Sequence, residues 1–255
     1  MFGTGFEPIY LYLLLILIFV ISGIVKGVTG IGLPLTSLAI LTTFISPLHA
    51  IGLNVIPVIM ANILQFSTAK SPKAIAKKYK IFAIFMFIGV SCTSFLTASL
   101  SDQTLKLLIG CMVLIFAFDN LFRKSWSFDI RNDKYWQIFM GSISGIIGGL
   151  TSIWGVPIIM YLILRKTDKE EFVDTTGFLF LVAVIPATIG YISTGILITE
   201  YIPVAIVCGI AALIGMRIGR EIRKRIVAET FKKILLLLFI AIGIKLITNA
   251  FTGVL

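Results

Sequence analysis

Thr29 and Thr151 occupy the same position in two copies of a short glycine-rich phrase. The copies are residues 21–34 and 143–157, and with Trp154 taken as an insertion, nine of the fourteen positions of the first are identical in the second. Hydroxyl groups and the unpaired backbone N–H groups of a helix start both donate hydrogen bonds, and such donors bind small oxyanions. The repeated phrase therefore predicts an anion site.

The glycines and the proline of each copy predict an interrupted helix. Glycine permits positive φ angles and close backbone approach, and proline fits the first turn of the helix that follows. Two such helix starts would point their positive dipole ends at one anion. The alternative is that the glycines only permit tight helix packing. The positions concerned are Gly27, Gly30, Gly32 and Pro34 in the first copy, and Gly148, Gly149, Gly155 and Pro157 in the second.

Lys26 is a cation inside the first copy, at the position where the second copy has Gly148. A charged residue within a membrane is costly and indicates a function, which here would be to neutralise the bound anion. The alternative is that Lys26 lies at the cytoplasmic end of a spanning helix and extends toward the surface. Lys245, in the last apolar segment, allows the same two interpretations.

Further polar side chains complete the candidate site. Asn62 and Gln65 share a segment with Asn54 and would line the same cavity. Asp174 is the candidate for coupling to protons, with a solvated loop residue as the alternative. The predicted substrate-binding residues are Lys26, Gly27, Thr29, Gly30, Asn54, Gly149, Thr151, Ser152, Trp154, Thr175 and Thr176.

The composition places the chain in a lipid bilayer. Hydrophobic residues make up 58% of the sequence and charged residues 13%, and the mean hydropathy is +1.05. A soluble domain of this length is far more polar. We therefore expect one all-α transmembrane domain over residues 1–255. The uncharged runs long enough to cross hydrocarbon as helices are residues 27–69, 81–101, 135–164 and 175–199.

The net charge of +10 does not indicate a nucleic-acid partner, because the basic residues cluster between apolar runs instead of covering a solvated face. Cys92, Cys111 and Cys208 have no metal-type spacing. The single histidine, His49, has no carboxylate pair that would complete a catalytic set. We therefore expect neither a metal, nor a cofactor, nor an enzyme activity.

The basic clusters predict the topology, because positively charged loops stay in the cytoplasm. The first glycine-rich pair then begins and ends outside, and the second begins and ends inside. Each pair is followed by three further crossings, so residues 9–122 and 135–251 form two five-element repeats of inverted topology. Both termini are predicted to be external. The four clusters are residues 70–80, 123–134, 165–169 and 217–233.

Two apolar segments are too short to span the membrane. Residues 33–45 and 156–164 extend about 20 and 14 Å, against a hydrocarbon core of about 30 Å. Each is interpreted as one arm of a hairpin that turns inside the protein, where irregular backbone is buried or lines a cavity. Residues 9–29 are long enough to cross, so a re-entrant hairpin and two full crossings both stay open for residues 9–45.

The repeated glycine segment with its proline, followed by a short helix and the turn Pro47-Leu48-His49-Ala50, resembles the sulfite exporter TauE/SafE family of membrane permeases. The likeness covers essentially the whole chain. It implies a carrier with two homologous halves that exports sulfite, organosulfonates or related sulfur-containing anions. The chain departs from the family pattern at Lys26, and at the charged residues 165–171 in place of a second Pro-x-x-Ala turn.

The expected function is secondary transport of a small sulfur-containing anion, by alternating access to a mid-membrane site that the two broken helices form. A carboxylate substrate is one alternative, and a non-transporting scaffold subunit is another. The expected partners are the anion and the lipid bilayer of a bacterial or archaeal cytoplasmic membrane. The oligomeric state stays open.

Overall fold

The chain is helical throughout the part that the computed structural model describes, which is residues 7–122, 132–225 and 228–252. These residues form eleven α-helices and two short 3-10 turns and contain no strand, so the predicted all-α class is confirmed. In chain order the helices are α1 Pro8–Thr29, α2 Leu33–Leu41, α3 Pro47–Ser67, α4 Pro72–Lys78, α5 Lys80–Thr93, α6 Asp102–Phe122, α7 Asp133–Thr151, α8 Gly155–Leu164, α9 Lys169–Ser193, α10 Ile202–Arg225 and α11 Ala228–Thr252.

Several helices have the length and composition of membrane spans. α1 has 22 residues, or about 33 Å, and is long enough to cross by itself. α2 and α8 have nine and ten residues, or about 14 and 15 Å, and are too short. For residues 9–45 the lengths thus favour one full-length helix followed by a short one. The five spans found among the described residues are Ile9–Thr29, Pro47–Ser67, Lys80–Ser99, Lys169–Ser193 and Thr199–Arg223.

The helices extend beyond the apolar segments predicted from the sequence. α9 starts at Lys169, so Asp174 and the two threonines after it lie within its first two turns instead of before it. The Asp168 carboxylate caps this start by accepting two backbone N–H bonds of 3.0 Å. Hydropathy marks only the part of a helix in hydrocarbon, whereas polar residues cap its ends. Hydropathy did not predict the basic helix α4 for the same reason.

Glycines let α1 pack closely along α10. A Cβ on Gly23 would overlap the carbonyl oxygen of Ala212, and a Cβ on Gly27 would overlap that of Met216. α10 contributes a glycine of its own, Gly219, directly opposite Gly27. Because the contacts advance along both helices together, α1 and α10 run parallel. Small residues at such a contact allow the backbones to approach closely.

The same arrangement joins α7 to α5. A Cβ on Gly145 would stand 2.5 Å from the carbonyl oxygen of Met86, and one on Gly149 would stand 3.1 Å from that of Val90. These two helices are therefore also parallel. Since α1 and α5 precede residue 123 and α7 and α10 follow it, the helix before each break packs on a helix of the other half.

Other main contacts also join the two halves, with α6 packed on α11 and α3 packed on both α10 and α9. Exchanging residues 9–122 with residues 135–251 maps α1–α10 onto α7–α5 and leaves α6–α11 and α3–α9 in place. Two equivalent repeats would produce this pattern. The repeats and their inverted topology stay predictions.

Basic side chains gather at one end of the helix bundle, which we call the basic face. Here Lys70 forms a 2.6 Å ion pair with Glu170, and Arg165 forms one of 2.7 Å with Asp133. The second pair joins the start of α7 to the end of α8, so this broken pair begins and ends at the basic face. The termini and most of the predicted cluster at residues 123–134 lie outside the described residues.

Candidate functional site

The first break follows α1 and depends on two glycines. Gly30 has φ 82° and its N–H donates to the Lys26 carbonyl at 2.7 Å, which ends α1. Gly32 has φ 95° and precedes the first residue of α2, with Pro34 in the first turn as predicted. A side chain at either glycine would be strained, because both lie in the left-handed region.

The second break also has a left-handed residue at the end of its helix, but here that residue is a serine. Ser152, at the position that Gly30 holds in the first copy, has φ 61° and donates its N–H to the Gly148 carbonyl at 2.7 Å. The predicted breaks at Gly148, Gly149 and Gly155 do not use positive φ angles. These glycines instead lie where neighbouring groups approach closely, as the packing interpretation proposed.

The two equivalent threonines hold the backbone at the breaks. The Thr29 hydroxyl accepts from the Ile31 N–H at 3.2 Å and donates to the Val25 carbonyl at 2.8 Å. Thr151 makes the same pair of bonds, accepting from the N–H two residues later at 3.1 Å and donating to the carbonyl four residues earlier at 2.8 Å. Both hydroxyls are therefore engaged within their own break.

Lys26 is buried, with only 1% of the residue exposed. Its Nζ donates to Asn62 Oδ1 at 2.8 Å and lies 5.3 Å from the centre of the Phe180 ring. Asn62 is oriented by its own amide, which donates to the Val58 carbonyl at 2.8 Å. Among the described residues, no carboxylate lies within ion-pair distance of Lys26. The side chain therefore points inward without a countercharge and does not extend toward the surface.

A cleft of about 90 Å³ opens beside Lys26, and we call it the basic cleft. Arg220 and Arg223 of α10 join Lys26 in its lining, and among the described lining residues there is no carboxylate. Neither arginine was predicted as a site residue, because α10 meets α1 only in the folded chain. Three cations around one opening favour entry of an anion. The full lining is Lys26, Gly27, Gly30, Gln65, Thr68, Val173, Met216, Arg220 and Arg223.

Gln65 ties the first break to α9 at the side of the basic cleft. Its Nε2, which carries two hydrogens, lies within hydrogen-bond distance of three acceptors: the Gly30 carbonyl at 3.0 Å, the Val173 carbonyl at 2.7 Å and Thr176 Oγ1 at 3.1 Å. Its Oε1 is buried and has no hydrogen-bond partner among the described residues. Gln65 therefore connects the first break to α9 and holds this wall of the basic cleft in place.

A second, much smaller cavity, of about 10 Å³, which is room for about one water molecule, lies between the two breaks, and we call it the central cavity. The first break contributes Ile31 and Gly32, and the second contributes Ile153 and Gly155. The structure thus brings both breaks, with the starts of α2 and α8, to one space. Its lining side chains are all apolar, so polar contacts there would come from the backbone. The remaining lining residues are Pro34, Leu35, Phe116, Val156, Ile159 and Phe180.

A protein-family model described as Sulfite exporter TauE/SafE matches residues 15–246, nearly the whole chain. The chain belongs to the TauE/SafE family. No curated protein and no solved structure matches it. TauE/SafE proteins are membrane transporters of sulfite-type anions and not enzymes, so this chain is a membrane transporter.

Four other predicted site residues of this TauE/SafE protein lie near the breaks but line neither cavity. Asn54 is buried, and its Oδ1 accepts from the Ser37 hydroxyl at 2.8 Å. Thr175 and Trp154 are buried, and the Thr175 hydroxyl and the Trp154 indole N–H have no hydrogen-bond partner among the described residues. Asp174 is half-buried at the basic face, where it accepts from the Lys70 N–H at 3.3 Å.

Replacing Gln65 by leucine is expected to lower the free energy of unfolding of this TauE/SafE protein by about 2 kcal/mol, because buried acceptors lose their donor. Thermal unfolding in detergent measures this change. Ser67→Ala is the matched control, since Ser67 is exposed on the same helix and its hydroxyl bonds only the Leu64 carbonyl. Equal unfolding temperatures for Gln65→Leu and the wild type would contradict the bridging role.

Proposed function

We propose that the protein transports a small sulfur-containing anion, such as sulfite or an organosulfonate, and that Lys26 binds the anion. The observation that carries this proposal is the buried Lys26 ammonium, whose nearest described partners are an amide oxygen and an aromatic ring. A buried charge without a countercharge is costly, and an anion in the basic cleft would supply that countercharge. The family's sulfite-type substrates fit this chemistry.

The charge distribution supports entry from the basic face. Arg220 and Arg223 belong to the same cleft as Lys26, so an incoming anion meets cationic groups along the way. Positively charged ends stay in the cytoplasm, which would make the basic cleft the cytoplasmic opening. From Lys26 the anion would continue to the central cavity, where the starts of α2 and α8 offer the backbone N–H groups of Gly32, Trp154 and Gly155, which the hydrogen bonds within the breaks leave unused.

The opposite side supports an alternating-access cycle. Gly149, the counterpart of Gly27 in the second copy, has its carbonyl bonded by the Thr97 hydroxyl at 2.8 Å and the Tyr191 hydroxyl at 2.9 Å. Gly27 lines an open cleft instead. In inverted repeats, exchange of these two local arrangements would close the basic cleft and open its counterpart. Export is the direction that we propose.

The roles of the other predicted residues follow from their positions. Thr29 and Thr151 would hold the two breaks in the shape that presents the helix starts. Thr176 would act through Gln65. Asp174 stays our candidate for coupling, since it lies next to Val173 of the cleft wall.

Purified protein in proteoliposomes tests the proposal. We expect radiolabelled sulfite to cross faster than in protein-free liposomes, and sulfite or a sulfonate to raise the unfolding temperature in a screen that includes sulfate, thiosulfate and small carboxylates. Stabilisation by carboxylates alone would favour the alternative substrate class. Absence of both flux and stabilisation for every anion would overturn the proposal.

A further inference from the structure

Phe180 lines the central cavity and lies next to Lys26 of the basic cleft. Its ring centre is 5.3 Å from Nζ of Lys26, which lines the basic cleft, while Phe180 itself lines the central cavity. On its other side the ring makes an edge contact with Trp154 at 5.9 Å between centroids. The side chain thus touches residues associated with both breaks.

The ring is held by packing and by one feature of the second break. Phe180 is only 1% exposed. A Cβ on Gly155 would stand 3.1 Å from its Cζ, so a larger residue at position 155 would crowd the ring. The absence of a side chain at Gly155 therefore leaves room for the ring.

We propose that Phe180 is the partition between the basic cleft and the central cavity, and that its ring must turn aside for an anion to pass from Lys26 to the cavity. This inference rests on the proposed anion path through Lys26. The ring face toward the Lys26 ammonium holds the cation when no anion is bound. An anion at Lys26 competes for that cation and weakens the contact that keeps the ring closed.

Thiol accessibility tests the partition without any transported substrate. In a background with the three native cysteines replaced, one cysteine is placed at Thr68, in the basic cleft, or at Ile153, in the central cavity. The probe is the anionic reagent 2-sulfonatoethyl methanethiosulfonate. With Phe180 in place, we expect the cysteine at position 68 to react at least about tenfold faster than that at 153, because the ring adds a barrier.

Phe180→Ala is expected to raise the reaction rate at position 153 about tenfold and to leave the rate at position 68 unchanged. Phe180→Leu, which keeps an apolar side chain, should raise the reaction rate at position 153 by a smaller factor. It is used in place of Phe180→Ala if the alanine variant does not fold. Phe178→Ala is the matched control, because Phe178 lies on the same helix, packs on Phe66 and lines neither cavity.

Two results would overturn the partition. One is an unchanged rate at position 153 in both Phe180 variants, and the other is equal rates at positions 68 and 153 in the protein with Phe180. Either result leaves the binding of anions to Lys26 untouched. Conversely, a protein that fails to bind or transport any anion can still show the expected thiol rates, so failures of the two proposals are distinguishable.

Discussion

Lys26→Gln is expected to weaken sulfite binding by roughly 10- to 100-fold, because a charge-assisted hydrogen bond contributes about 1.5–3 kcal/mol. The effect should be large since Lys26 is buried, where neither water nor salt screens its charge. Glutamine keeps a hydrogen-bond donor at this position. The loss is therefore expected in binding and not in folding. Titration with sulfite, followed by the shift in unfolding temperature, measures it.

In the absence of anion, Lys26→Gln should not lower the free energy of unfolding. Removing a buried charge that lacks a countercharge relieves a desolvation cost, so the free energy of unfolding without anion should stay equal or rise. Lys245→Gln is the control, because Lys245 is exposed on α11 and lies in neither cavity. Sulfite affinity in Lys26→Gln that matches this control would refute the role of Lys26.

Gly215→Ala is expected to cost at least about 1–3 kcal/mol of stability, because overpacking a close contact forces backbone shifts. A Cβ at this position of α10 would overlap the Val20 carbonyl oxygen of α1 and stand 3.0 Å from the Ile24 amide nitrogen. Both groups belong to a helical backbone, so neither can move without shifting the helix. Gly27→Ala, across the same contact, should have a similar effect. Purification yield and thermal unfolding in detergent measure both.

The control for this prediction is Gly209→Ala on the same helix. A Cβ there would meet only the side chain of Met60, whose flexible thioether can shift. We therefore expect Gly209→Ala to be much less destabilising than Gly215→Ala. Equal stability of the two variants would show that the α1–α10 contact tolerates a methyl group and that its glycines have another purpose.

The repeated phrase predicted where the helices break, because glycine and proline act locally. It predicted the position of Pro34 and the equivalence of Thr29 and Thr151, whose hydroxyls make matching bonds. It did not predict that Ser152, and not a glycine, would take the left-handed conformation of the second break. A short polar side chain tolerates that conformation, and composition alone does not show which residue adopts it.

The site itself depends on contacts between distant segments. Sequence left two roles open for Lys26, and only the positions of Asn62 and Phe180 show that its ammonium turns inward. Arg220 and Phe180 carried no local signal, because each reaches Lys26 from a helix in the second half. Gly27 and Gly149 were predicted as substrate-binding residues, and the structure also places them in contacts between helices of different halves, which the sequence does not show.

The contact between α1 and α10 also affects the order in which the helices can assemble during synthesis. α1 is the first of the helices to leave the ribosome, and α10 is among the last. Until α10 has been synthesised, the glycines of α1 that contact it have no matching surface and face lipid. Closing so distant a contact is slow, because the intervening chain must first be ordered. We therefore expect the first half to stay incompletely packed until the second half has been inserted.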